Sequence, residues 1–122
     1  MPPEERDLAL LADMLESARI AIAHCAGRQQ GDLGHDLLFT DALERRVSII
    51  GEAARKLSDT FKSAHPEIPW SAITATRHIL VHEYDRVDYA TVWRIVHQHL
   101  PPLIEQLETI LGENPPPAIV QP

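Results

Sequence analysis

The feature that most constrains this 122-residue chain is a helical repeat of apolar residues near its middle. Between residues 43 and 61 the apolar positions alternate steps of four and three without a gap: Leu43, Val47, Ile50, Ala54, Leu57 and Phe61. This spacing places the side chains on one face of an α-helix, and that face has to be buried against another element. The segment therefore predicts a long amphipathic helix that packs into a core.

The rest of the chain shows the same periodicity and no segment typical of a strand. Residues 8–22 predict a first helix, and the glycine-containing stretch 27–36 predicts a loop. Ser71 is predicted to cap a third helix that runs through RHILVHEY, residues 77–84, and Asp88 is predicted to cap a fourth. The expected fold is all-α, an antiparallel up-and-down bundle of four main helices joined by short loops.

Glycine and proline predict the irregular points of this bundle. Gly51 lies inside the long helix, where it costs about 1 kcal/mol of helix propensity, and a close helix–helix contact explains it best. Pro101 and Pro102 predict a kinked or split last helix. We expect a helical domain over residues 1–111 and a proline-rich, disordered tail over residues 112–122.

Composition restricts the class of protein. Apolar residues make up 44% and charged residues 24%, which is ordinary for a globular protein. No apolar run approaches the ~20 residues that cross a bilayer, and the N-terminus is acidic where a signal peptide is basic. The expected location is cytoplasmic, without a membrane partner.

The net charge of −7 argues against generic nucleic-acid binding, because such proteins usually carry a basic excess. Any contact with RNA must come from a local cluster of arginines or from a basic partner. Arg45, Arg46, Arg86 and Arg94 are candidates for that cluster, although exposed arginines more often serve solubility.

Metal and thiol chemistry find little support in the sequence. The single cysteine, Cys25, is expected to pack as a small hydrophobe. His78 and His82 stand four apart, but no third ligand accompanies them and the HExxH spacing is absent. No metal site is predicted.

RHILVHEY concentrates the polar chemistry of the chain. Arg77 and His82 are five residues apart, so on one straight helix they point about 140° from each other. Either they do separate jobs, or a two-fold dimer brings them together from two chains. Histidine moves protons near neutral pH and arginine binds phosphate, which suits metal-free phosphodiester cleavage by a ribose 2′-hydroxyl. A solvated helix face or a dimer contact would carry the same residues.

Longer segments around this stretch resemble the HepT-like toxins of the HEPN superfamily. The resemblance lies in DALERRVSIIGEAARKLS (residues 41–58), IPWSAITATRHILVHEY (68–84) and VDYATVWRIVHQHLPPL (87–103). It extends over roughly residues 4–110. The family motif is R-x-x-x-x-H-x-Y, and Arg77, His82 and Tyr84 fill it.

The resemblance implies a helical homodimer that acts as a metal-independent ribonuclease on RNA, not DNA. By position, Arg77 would bind the scissile phosphate and His82 would act as general acid or base. His78, where many members carry asparagine, would support them.

The resemblance also implies a partner, a minimal nucleotidyltransferase antitoxin of a type VII-like toxin–antitoxin pair. That antitoxin would use ATP to transfer AMP to Tyr84, while this chain itself would need no cofactor. A second class of function stays open at this point. HEPN-type domains also serve as non-enzymatic regulatory or substrate-binding partners of nucleotidyltransferases.

Overall fold

The computed structural model describes residues 4–81 and 88–113, and of residues 78–81 it describes the backbone alone. Within these ranges the chain forms six α-helices: α1 (Glu5–Cys25), α2 (Leu37–Lys56), α3 (Asp59–Ala64), α4 (Trp70–Val81), α5 (Tyr89–Arg94) and α6 (Leu100–Glu113). No β-strand occurs in them. The predicted all-α bundle is confirmed, with α1, α2, α4 and the split pair α5–α6 as its main helices. In the described ranges, no helix combines the length and the apolar character needed to cross a lipid bilayer.

One continuous core lies between the helices. α1 packs against α2 and α6, and α2 also packs against α4. Leu11 and Met14 of α1, Leu43 and Val47 of α2, and Leu107 of α6 are almost fully buried. Burial of each such side chain contributes about 1.5–3 kcal/mol, so the helical periodicity is what holds the bundle together.

The long helix predicted for residues 43–61 is wrong at its C-terminal end, because α2 stops at Lys56. Ser58 instead caps α3, and its Oγ accepts a hydrogen bond from the backbone N–H of Phe61 at 3.1 Å. The buried carboxylate of Asp7 holds this break by accepting from the N–H and the Oγ–H of Ser58, at 2.9 and 2.7 Å. Phe61 is nevertheless buried, so the spacing of buried apolar residues continues from α2 into α3.

The predicted caps of the later helices have mixed outcomes. α4 begins at Trp70, ahead of the predicted cap Ser71, and the buried indole Nε1–H donates to the carbonyl of His65 at 2.9 Å. Asp88 caps α5 as predicted, accepting from the backbone N–H of Thr91 at 3.1 Å and from its hydroxyl at 2.7 Å. The Asp88 cap depends on neighbouring residues alone and could be predicted. The start of α4 also depends on the burial of the Trp70 ring, which the local sequence does not show.

The split in the last helix is also confirmed. A π-helical turn spans Ile95–His99 between α5 and α6. Pro101 and Pro102 have no N–H to donate to the preceding turn, and a wider turn is a common way to accommodate such a defect. α6 continues to Glu113, two residues beyond the predicted domain boundary, and residues 114–122 lie outside the described ranges.

Gly51 makes the close helix–helix contact expected from the sequence. A Cβ atom at this position would lie 3.1 Å from Thr76 Oγ1, 3.3 Å from the Ile73 carbonyl oxygen and 3.4 Å from Arg77 Cβ. Two of these neighbours have little freedom to move, because one is a backbone atom and Thr76 Oγ1 donates to that same carbonyl at 2.6 Å. α2 and α4 therefore touch where α2 has no side chain.

We expect Gly51→Leu to lower the free energy of unfolding by about 1–3 kcal/mol, because the new side chain must push α4 away. The matched control is Gly112→Leu in the last turn of α6, where nothing lies within 4 Å of the added Cβ. There the gain in helix propensity should leave stability unchanged or raise it by up to about 1 kcal/mol. Urea unfolding followed by circular dichroism measures both. Equal stability of the two variants would contradict the contact.

Candidate functional site

Arg77 is the one member of the predicted motif whose side chain the structure describes. It lies on α4, four residues before the end of that helix at Val81. His78 also lies in α4, but its side chain is outside the description. His82 and Tyr84 belong to residues 82–87, which lie outside the described ranges, as does Arg86. The site can therefore be built from Arg77 outward.

The nearest charged neighbour of Arg77 is Glu52 of α2. Arg77 Nη1 lies 3.3 Å from Glu52 Oε2, and the two side chains are 46% and 33% exposed. Gly51 explains this pairing, since the contact of its bare backbone with α4 brings the next residue of α2 alongside the guanidinium. Arg77 thus combines a fixed ionic neighbour with an open face toward solvent.

Glu52 is shared among several cations. Its Oε1 accepts from Arg55 Nη2 at 2.6 Å and lies 3.9 Å from Lys56 Nζ, while its Oε2 faces Arg77. The hydrogen bond from Arg55, together with the charges of Arg55, Arg77 and Lys56, lowers the pKa of the Glu52 carboxyl below its usual value. Glu52 is therefore an anion at neutral pH, surrounded by three positive charges.

Glu52, Lys56 and Arg77 line a cleft of about 340 Å³ between α1, α2 and α4. Its basic side chains are Arg45, Lys56 and Arg77, and its acidic side chains are Asp13 and Glu52. With Arg55 bound to the rim at Glu52, the cleft carries a positive excess on a protein whose net charge is −7. The arrangement suits an anion that brings its own negative charge to Arg77.

The arginines singled out in the sequence divide between different surfaces. Arg45 lines the cleft beside Arg77, whereas Arg46 is half-buried on α2. Arg94 lines a second cavity of about 340 Å³, between α2, α4, α5 and α6, whose walls are mainly apolar. Thr76 lines that cavity and Arg77 lines the charged cleft, so adjacent residues of α4 face the two spaces.

Several other candidates have structural roles. Cys25 is buried, and loss of hydration raises the pKa of its thiol to about 11, which disfavours the nucleophilic thiolate. Trp70 packs edge-on against Phe61, with ring centroids 5.8 Å apart. Trp93 packs on His97 at 4.1 Å. Among the described residues, no three histidine, cysteine, aspartate or glutamate side chains gather closely enough to hold a metal ion.

Glu52, Arg55 and Lys56 had no assigned role in the motif-based prediction. Their spacing of three and four residues does indicate contact along one helix. From the sequence, Glu52 is as readily a surface acid as a site residue, and in the structure its side chain lines the cleft beside Arg77. The missing information was which helix Gly51 contacts, because that contact is what aligns Glu52 with Arg77.

Comparison with known proteins identifies the family. Residues 14–110 match the ribonuclease HepT-like family. The chain belongs to this family. The chain also resembles several proteins that are named as ribonucleases.

The protein named "Putative RNase MJ1380" of Methanocaldococcus jannaschii is 32% identical over 107 residues, 87% of this chain and 98% of that protein. "Putative RNase TTE0752" of Caldanaerobacter subterraneus subsp. tengcongensis is 33% identical over 104 residues, 85% of this chain and 93% of that protein. "Probable ribonuclease HepT" of Thermococcus cleftensis is 38% identical over 69 residues, 57% of this chain and 63% of that protein. No solved structure matches the chain.

Proposed function

We propose that this HepT-like protein is a cytoplasmic RNA endonuclease, the toxin of a type VII-like toxin–antitoxin pair, that cuts RNA without a metal ion. The observation that carries the proposal is Arg77, a half-exposed arginine held in a basic cleft of an otherwise acidic protein. The relatives named as ribonucleases support the same class of reaction.

In the proposed reaction, a ribose 2′-hydroxyl attacks the adjacent phosphate. The new 2′-oxygen–phosphorus bond forms as the bond to the 5′-oxygen breaks, and the products are a 2′,3′-cyclic phosphate and a 5′-hydroxyl. Arg77 binds the phosphate oxygens and stabilises the charge that develops on them. His82 transfers the proton from the nucleophile or to the leaving group, and His78 supports this pair.

The reaction needs Arg77 and His82 to face one phosphate. α4 is continuous from Arg77 to Val81, and on a straight helix a residue five positions after Arg77 would point about 140° away from it. A two-fold homodimer resolves this, because Arg77 of one protomer can face His82 of the other across the axis. The active unit in this proposal is therefore the dimer, with two equivalent sites.

Regulation is proposed to act on Tyr84, two residues after His82. A minimal nucleotidyltransferase partner transfers AMP from ATP to the tyrosine hydroxyl: a bond forms between the tyrosine oxygen and the α-phosphorus, the α–β phosphoanhydride bond breaks, and pyrophosphate and the hydroxyl proton are released. The added phosphate brings bulk and negative charge next to the site and repels RNA, by the same electrostatics as phosphorylation.

Cleavage should depend on both proposed catalytic residues. We expect Arg77→Ala and His82→Ala each to slow cleavage by at least about 100-fold, because each removes either charge stabilisation or proton transfer. The assay uses purified protein with structured RNA in EDTA, and detects the cyclic phosphate end. Equal cleavage by the wild type and both variants would show a contaminating nuclease and would contradict the assignment. An inactive wild type that still binds its nucleotidyltransferase would favour the non-enzymatic partner function.

Modification should be confined to Tyr84. Incubation with the nucleotidyltransferase and ATP is expected to add the mass of AMP to the peptide that contains Tyr84, and to abolish cleavage. Tyr84→Phe, which keeps the ring and removes the acceptor oxygen, should stay unmodified and active. An unchanged peptide mass in the wild type would contradict this part of the proposal.

A further inference from the structure

In the cleft, the Glu52 carboxylate and an RNA phosphate would compete for Arg77, and the proposed reaction does not by itself explain how the phosphate succeeds. Glu52 is an anion beside Arg77, and a carboxylate binds a guanidinium in much the same way as a phosphate does. A free Glu52 would therefore compete with RNA for Arg77. The side chains around Glu52 determine how strong that competition is.

Arg55 makes the closer contact with Glu52. Its Nη2 donates to Oε1 at 2.6 Å and its Nε donates to Oε2 at 3.4 Å, so both carboxylate oxygens receive a donor from Arg55. The contact of Arg77 is longer, with Nη1 3.3 Å from Oε2. Since an arginine has five N–H donors, most of the donors of Arg77 stay available to a ligand.

Because Arg55 makes the closer contact with Glu52, Glu52 has two effects on Arg77. Its contact at one nitrogen favours one orientation of the guanidinium, which reduces the ordering cost when a phosphate binds. Its charge would oppose phosphate binding if Arg55 did not hold it. Arg19 and Glu108 provide an internal contrast, because they form an exposed ion pair at 2.5 Å between α1 and α6, with no part in the cleft lining.

We propose that Arg55 is a positioning residue, which keeps the Glu52 carboxylate from closing on Arg77 and so leaves Arg77 free to bind RNA phosphate. This inference rests on the proposed function, in which Arg77 binds the scissile phosphate. It assigns Arg55 an indirect role, through Glu52, in place of a direct contact with RNA.

The double-mutant cycle of Arg55→Gln and Glu52→Gln tests this role. Arg55→Gln keeps most of the side chain but releases Glu52 to Arg77, so RNA must then displace a carboxylate. We expect the Kd for 2′-O-methyl RNA, which lacks the nucleophile, to rise about two- to fivefold, the range of an exposed ion pair. KM for cleavable RNA should rise equally, and kcat should stay within about twofold because bound phosphate has already displaced Glu52.

The decisive variant carries both substitutions. Glu52→Gln removes the competing charge, so Glu52→Gln/Arg55→Gln should restore Kd and KM to within about twofold of the wild type. Arg19→Gln is the matched control, since it removes one exposed arginine from an ion pair outside the cleft and should leave Kd unchanged. Circular dichroism checks that every variant is folded.

Two results would overturn the inference. Either Arg55→Gln binds RNA as tightly as the wild type, or the double variant binds as weakly as Arg55→Gln, which would assign Arg55 to direct RNA contact. Failure of the proposed function gives a different pattern. In that case Arg77→Ala itself binds and cleaves RNA like the wild type, whatever Arg55 does.

Discussion

The close approach of α2 and α4 at Gly51 is the contact on which the candidate site depends. Any larger side chain there would meet Thr76, the Ile73 carbonyl and the stem of Arg77. Because the two helices touch, Glu52 on one lies beside Arg77 on the other. A glycine that weakens its own helix thereby aligns two charged residues 25 positions apart in the sequence.

The second constraint is electrostatic. The net charge of −7 disfavours RNA binding in general, so the proposed function requires a local cluster of basic side chains. Arg45, Lys56 and Arg77 provide one in the cleft, and Arg55 offsets the acid among them. In the proposed function RNA binds at this cleft, and the negative charge of an AMP group on Tyr84 would weaken that binding.

The sequence predicted the helices well because apolar periodicity is a direct record of burial. The split last helix and the Asp88 cap followed from local chemistry that one or two residues decide. The end of α2 could not be predicted in this way, because Phe61 keeps the apolar rhythm while Asp7, 51 residues from Ser58, holds the break. The start of α4 at Trp70 likewise depends on a buried indole that bonds to His65.

In the candidate site, too, local sequence predicted some features and contacts between distant residues determined others. The motif singled out Arg77, and residue type alone indicated phosphate binding. The carboxylate that faces Arg77 depends on helix packing, and no spacing in the chain reveals it. The roles of Arg77, His78, His82 and Tyr84 remain predictions from the motif.

Mixed dimers test the central claim, that Arg77 and His82 of different protomers form one ribonuclease site. Arg77→Ala and His82→Ala proteins are unfolded together, refolded as a mixture, and assayed for RNA cleavage. Half of the dimers then contain both variants, and each of these has one intact site of two, so activity should recover to about one quarter of the wild-type value. If each site used Arg77 and His82 of the same protomer, every site in the mixture would lack one of them. Cleavage that stays at the level of the separate variants would therefore contradict the account.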